Sequence, residues 1–366
     1  MTMVGTGSTL NLYLDSKRSS QINAIVGFLP SNPQLGGKLL VTGEANLNLK
    51  NALGGGETIG LNWQQLQIKS PRLNILFQQP FIFRSRFGID VNFDLFKKDS
   101  SFLNLNIQLG AQYVVNQRQS GRLFYLGFRT NLITVDTNRI KSTKQLPPFL
   151  DVSTNNIGVD YQFNNTDYRL NPRKGNEWYF MMSGGLRNIR KNATIIALET
   201  DASGKPFDFG SLYDTLTLRT YLLKLKLIAA HYFKTGKQST IRTAVSSGWI
   251  QTENAFNNEA FQIGGYKLLR GFDEESIYAT QYAVGTAEFR YLIGLNAYLF
   301  TFADFGWARN NTYETLISHT YLGTGFGVAL ETKAGILNLS YAVGKRDDAT
   351  FSLRQSKIHF GFVSIF

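Results

Sequence analysis

Residues 264–276 read GGYKLLRGFDEES, with one arginine set between a lysine and three acids and followed directly by a glycine and a phenylalanine. Charges at this density either keep a surface turn soluble or make charge-assisted hydrogen bonds to partners elsewhere in the chain. Other chemistry finds little support. His231, His319 and His359 lie far apart and have no metal-ligand spacing. Cysteine is absent, which removes thiolate sites and disulfides. There is no G-x-S-x-G elbow. The run GTGFG at 323–327 is followed by Val328 where a dinucleotide fingerprint needs glycine, and GGGE at 54–57 lacks the Lys-Ser/Thr of a phosphate loop. No cofactor, metal or covalent catalysis is called for, and an enzyme is not expected.

The elements around this stretch have a period of two. Leu103, Leu105, Ile107, Leu109 and Ala111 alternate with Asn104, Asn106, Gln108 and Gly110. Such alternation marks a strand with one apolar and one polar face. It recurs at Ile89–Leu95 against Asp90, Asn92 and Asp94, and at Leu39–Leu49 against Thr42, Glu44, Asn46 and Asn48. About sixteen such segments follow one another, the first at 20–29 and the last at 356–366. The longest connections are 136–153, 189–214 and 253–280. No helical stretch is evident. The segment 215–233 changes phase near Leu222–Leu223, which reads as a bulge. Aromatic residues near segment ends, such as Trp178, Tyr232 and Trp307, suit interfacial girdles.

Many of these runs exceed the 5–6 residues typical of soluble sandwiches and approach the roughly 9–11 that a tilted strand needs to cross a bilayer. The polar faces carry Asn, Gln, Asp and Thr, as a wet lumen would. With only 8 prolines and no linker-like run, the 366 residues read as one transmembrane antiparallel β-barrel over 20–366, preceded by a segment 1–19. A soluble all-β binding protein is the reading set aside. No apolar run is long enough for a transmembrane helix, and no basic-then-apolar signal pattern opens the chain. The net charge of +12 is assigned to loop and rim cations near anionic outer-leaflet lipid. Nucleic acid is excluded as a partner, because the aromatics alternate onto the lipid side.

Strand parity also places chemistry. In 281–293 the apolar odd face holds Ala283, Ala287 and Phe289, so Glu288 points inward. In 296–308, Phe305 and Trp307 go outward, so Asp304 points inward. Arg270 is then either an exposed loop charge beside hydrated lumen acids or a cation that joins them.

Three motifs in order resemble the Omp85 superfamily of outer-membrane assembly and translocation barrels, which includes the bacterial surface antigens. These are LRGF at Leu269–Phe272, GTAEFR at Gly285–Arg290 and FADFG at Phe302–Gly306; NPRKG at 171–175, GTGFG and the terminal Phe366 also fit, with Ser364 a departure from the usual C-terminal pattern. The resemblance implies a loop six folded into the barrel, with Leu269, Arg270, Gly271 and Phe272 held by Glu288, Asp304 and Gly306. It implies a lateral seam between first and last strands, at Ile22, Ala24, Val26, Gly27 and Phe28 against Phe360, Phe362 and Phe366. It further implies the outer membrane of a Gram-negative bacterium, with outer-membrane lipids including lipopolysaccharide, unfolded outer-membrane protein clients and accessory lipoproteins as partners. The expected function is insertion or translocation of polypeptides, with a passive or gated pore, or dedicated secretion of one protein, as the alternative. Family members carry POTRA domains before the barrel. The alternation at Ser8–Ser20 resembles the last strand of one, left either from a longer protein or in a short member.

Overall fold

The computed structural model describes residues 2–4, 7–9, 20–29, 40–65, 67, 69–313, 315–332 and 335–365. Leu10, Leu12 and Leu14, Pro30 and Phe366 therefore lie outside the described residues.

Sixteen antiparallel strands close one barrel in chain order. They are β1 Gln21–Leu29, β2 Leu40–Lys50, β3 Thr58–Gln65, β4 Pro71–Gln79, β5 Phe87–Lys98 and β6 Phe102–Asn116. Next come β7 Gln119–Leu132, β8 Asp151–Asn164, β9 Gly175–Arg190, β10 Arg219–Lys234 and β11 Ser239–Gln251. The last five are β12 Gln281–Leu292, β13 Tyr298–Thr312, β14 Thr315–Glu331, β15 Ile336–Arg346 and β16 Lys357–Ile365. Alternation decides the faces. Asp90, Asn156, Asp160, Glu288 and Asp304 are buried inside, while Ile89, Val91, Ile157, Phe289 and Phe305 are exposed on the outer wall. This inversion is stable only where the outer wall meets hydrocarbon and every backbone group finds a partner in the ladder.

The wall is uneven. Strands β16 and β1–β4 are 8 to 11 residues long, whereas β5–β14 run from 12 to 17. The seam between β16 and β1 is closed, with partners running from Ile358–Phe28 to Ile365–Gln21. The ladder on the other side of β16 runs only from Ile336–Val363 to Ala342–Lys357.

Three sequence expectations are corrected. The register of β10 passes Leu222 and Leu223 without a shift; among the described residues the one shift lies at Val114–Asn116. The apparent phase change arises because Leu222 is apolar yet buried on the inner face. Tyr232 is likewise buried inside and belongs to no girdle. The connection after β7 contains a helix, Thr137–Thr143, capped by Asp136, whose side chain accepts from the Arg139 amide. Seven residues are too few to show a helical period.

That helix joins the connections 191–218 and 252–260 in a dome over the barrel. Its core is Ile140, Leu146, Leu150, Ile195, Phe209, Tyr213 and Phe256. Arg187, at the top of β9, is fully buried beneath it. Its guanidinium donates to Glu259 Oε1 and Oε2 at 2.7 and 2.6 Å, and to the carbonyls of Glu253 and Asn254 at 3.0 and 2.9 Å. Asn258 donates to Leu150 O and Thr130 Oγ1, at 2.7 and 2.8 Å. The dome thus fixes the start of loop 252–280.

Arg187→Ala should leave Glu259 buried and unpaired, at a cost of about 3–5 kcal/mol to the dome. Limited proteolysis should then cut within 191–218 while the barrel keeps its heat-modifiable mobility. An equally resistant dome would show that its apolar core suffices.

Candidate functional site

Loop 252–280 connects β11 to β12 and turns into the lumen. It is a hairpin rather than a slack tether, because Phe261–Ile263 pairs with Ile277–Ala279. Ile263, Leu269, Ala279, Tyr282, Val284 and Tyr321 form a buried apolar cluster that seats it against β12–β14.

At its tip, Arg270 is 8 % exposed, Glu288 6 % and Asp304 1 %. Asp304 accepts three bonds from this one residue. The Arg270 amide and Nε reach Oδ2, both at 2.9 Å, and Nη2 reaches Oδ1 at 2.8 Å. Nη1 donates to Glu288 Oε2 at 2.6 Å. The guanidinium carbon lies 3.5 Å from the centre of the Phe302 ring. A planar cation with five donors can meet both carboxylates and the ring at once, and lysine cannot. Glu288 also accepts from Arg290 Nε at 2.9 Å, and Arg290 Nη1 donates to Asn171 Oδ1 at 3.1 Å. The NPRKG turn is thereby joined to the same network.

Glycines make room for the tip. Gly271 has φ +93, and a Cβ there would lie 2.5 Å from Gly344 N. Cβ atoms on Gly323 and Gly344 would collide with the Arg270 and Gly271 carbonyls, and one on Gly306 would press on Leu269 at 3.0 Å. Gly306, Gly323 and Gly344, on β13, β14 and β15, form a trough under residues 269–271. Phe272 packs edge-on against Tyr321, ring centres 5.3 Å apart.

Parity and motif thus place Leu269, Arg270, Gly271, Phe272, Glu288, Asp304 and Gly306 together. The seam residues lie elsewhere: Ile22, Ala24 and Val26 stand opposite Ser364, Phe362 and Phe360, and Gly27 and Phe28 opposite His359 and Ile358. The histidines remain separate. His231 faces Asn176, His319 faces Asp347, and His359 packs against Tyr266 in a tilted ring contact.

The ties to the opposite wall escaped the sequence reading. Lys267 donates to both oxygens of Glu44 on β2, at 2.7 and 2.9 Å. Lys357 on β16 pairs with Asp273 at 2.6 Å. Arg72 on β4 pairs with Glu275. The available signal was the inward parity of Glu44 together with the unexplained acids after Phe272. The third acid, Glu274, has another role: it accepts from the Tyr266 amide at 2.6 Å, and Gly265 (φ +109) leaves it the space. Burial pushes its carboxyl up to about 7.

Removing the Arg270 side chain should cost about 3–5 kcal/mol, since it strands Asp304. Asp304→Asn should cost more than Glu288→Gln, because Asp304 accepts three of the four bonds that Arg270 donates to the two acids, its backbone amide included. Urea unfolding of the detergent-solubilised barrel orders the three; a Glu288 variant weaker than the Asp304 one would refute the assignment. Glu274 makes stability depend on pH. A carboxyl whose folded pKa lies above its unfolded value holds its proton more tightly when folded, so this stabilisation is complete below about pH 4.5 and lost as pH rises through about 7. Melting midpoints at pH 5 and 8 should converge in Glu274→Gln relative to the parent.

Comparison with known proteins agrees with this geometry. No curated protein matches the chain. In structure it resembles BamA from Haemophilus ducreyi lacking POTRA domains 1–3, with 14 % identity and a TM-score of 0.59 over 96 % of this chain and 71 % of that one. It also resembles CdiB from Acinetobacter baumannii, with 13 % identity and a TM-score of 0.61 over 96 % and 61 %. CdiB from Escherichia coli follows, with 12 % identity and a TM-score of 0.57 over 97 % and 64 %. At these identities the likeness is one of fold. The Omp85 superfamily domain profile matches residues 51–366, and with the closed sixteen-strand barrel around an arginine-anchored inner loop, the chain belongs to the Omp85 superfamily.

Proposed function

We propose that the protein is an outer-membrane barrel of a Gram-negative bacterium that inserts or translocates polypeptides by opening between β16 and β1. The rim holding both barrel termini then faces the periplasm. The observation that carries this reading is that one inner loop grips strands on both sides of the seam: Asp273 holds Lys357 of β16, and Lys267 holds Glu44 of β2, next to β1. While both pairs stand, β16 and β1 are kept in register from inside. Once either is released and the β16–β1 ladder parts, the strands present an edge of unpaired N–H and C=O groups, to which an extended client strand can add. Ile22, Ala24, Val26, Phe360 and Phe362 line that edge, in register with one another. The step requires no bond chemistry and no cofactor. Unfolded outer-membrane proteins are the clients of this reading, with outer-membrane lipid, including lipopolysaccharide, around the wall and accessory lipoproteins on the periplasmic side.

The absence of native cysteine makes the test clean. Ala24→Cys with Phe362→Cys places a disulfide pair across the seam, and Thr301→Cys with Phe326→Cys places one across β13 and β14. In proteoliposomes, oxidation should stop insertion of an unfolded barrel client only in the seam variant, and reductant should restore it. Unimpaired insertion with the seam locked would overturn the lateral route and favour a path through the lumen, as in a solute pore or a dedicated secretion channel.

A further inference from the structure

The turn between β4 and β5, at the rim holding both barrel termini, reads PFIFRSRF over 80–87. No role in the loop-six network falls to it. Phe83 is 97 % exposed, Phe81 55 % and Phe87 59 %. Phe81, Phe83 and Arg84 have φ of 56, 53 and 60. Glycine or asparagine takes that left-handed backbone readily; bulky side chains do so only at a cost. The turn is nevertheless well held. Ser85 Oγ donates to Ile82 O at 2.7 Å and accepts from the Phe87 amide at 3.1 Å. The Arg84 amide donates to Phe81 O at 3.1 Å.

Its surroundings name the occupant. The apolar outer faces of β4, at Ile75 and Phe77, and of β5, at Phe87 and Ile89, run directly into it. Phe87 packs against Tyr113 of the outer wall in a tilted contact, ring centres 5.1 Å apart. The phenylalanines thus extend the lipid-facing belt past the ends of the strands. Arg84 and Arg86 are exposed, and among the described residues neither side chain has a hydrogen bond or ion pair. The exposed Arg118, Lys174, Lys234 and Lys237 stand on the same rim. Apolar tips flanked by unpaired cations fit the boundary between acyl chains and anionic phosphate headgroups.

We propose that this turn is a bilayer anchor: Phe81 and Phe83 enter the acyl boundary of the leaflet at the terminal rim, and Arg84 and Arg86 bind the phosphates of anionic phospholipids there. This places part of the +12 charge on the periplasmic leaflet, opposite the side expected from sequence. It rests on the barrel spanning a membrane, its assignment to the periplasmic leaflet rests on the orientation proposed above, and it is independent of the seam.

A Phe83→Cys variant labelled with the NBD fluorophore, reconstituted in phosphatidylcholine vesicles with and without phosphatidylglycerol, tests it. Leu53→Cys, on the neighbouring turn of the same rim and 77 % exposed, is the control. The label at 83 should emit in the apolar range and be quenched several-fold more by spin-labelled lipid than by aqueous iodide, with the order reversed at 53. Adding Arg84→Gln and Arg86→Gln should reduce the lipid quenching at 83 in vesicles containing phosphatidylglycerol and leave it unchanged in pure phosphatidylcholine. Equal behaviour at 53 and 83 overturns the anchor. An effect of the glutamines that does not depend on phosphatidylglycerol overturns the headgroup contact.

Discussion

The interior of this barrel is organised by one arginine that must be paired. A guanidinium taken from water is costly unless carboxylates replace its hydration with good geometry. Arg270 meets that condition only at one place, where Asp304 and Glu288 project from adjacent strands toward the same point. The strands put the acids there by alternation alone. The loop must then take a definite path, since the arginine's backbone amide also bonds Asp304. Position is set by charge, and orientation by the combination of main-chain and side-chain bonds.

Close approach is the second constraint. A loop pressed against a sheet meets a Cβ at every inward position unless the sheet omits it. Gly306, Gly323 and Gly344 omit it on three neighbouring strands beneath residues 269–271. These glycines would weaken free strands, yet here the loop fills the space they leave. The aromatic contact of Phe272 with Tyr321 closes the far side of the trough.

Much of this was legible. A period of two identifies strands and also assigns each side chain to lumen or lipid, so Glu288 and Asp304 could be placed before any fold was known. The acids at 273 and 275 could not be assigned. Their partners, Lys357 and Arg72, lie on strands distant in sequence, and parity shows that a residue faces the lumen without showing what it meets across it. Arg187 was hidden for the same reason, since Glu259 sits in an irregular connection. The short helix at Thr137–Thr143 carried too few residues for a period. At Leu222 the rule itself misled, because a lumen wall under a packed loop tolerates apolar side chains.

The two sides of the loop are not equal. Toward β12 and β13 its ion pairs are desolvated, with side-chain exposures of 9 % for Arg270 and 1 % for Asp304. Toward the short-stranded wall one member of each seam pair is wet, Lys267 at 61 % and Asp273 at 50 %. A pair with one wet member is screened by salt on that side and holds less tightly than one buried at both ends, even where its partner, as Glu44, is buried. If the barrel yields anywhere, it therefore yields where the loop meets β16 and β2, and the loop stays with the long wall. The same side has the shortest strands and so the fewest ladder bonds to break. Weak ties, short strands and the seam fall together on one side of the molecule, and the buried ion pairs of the loop lie on the other.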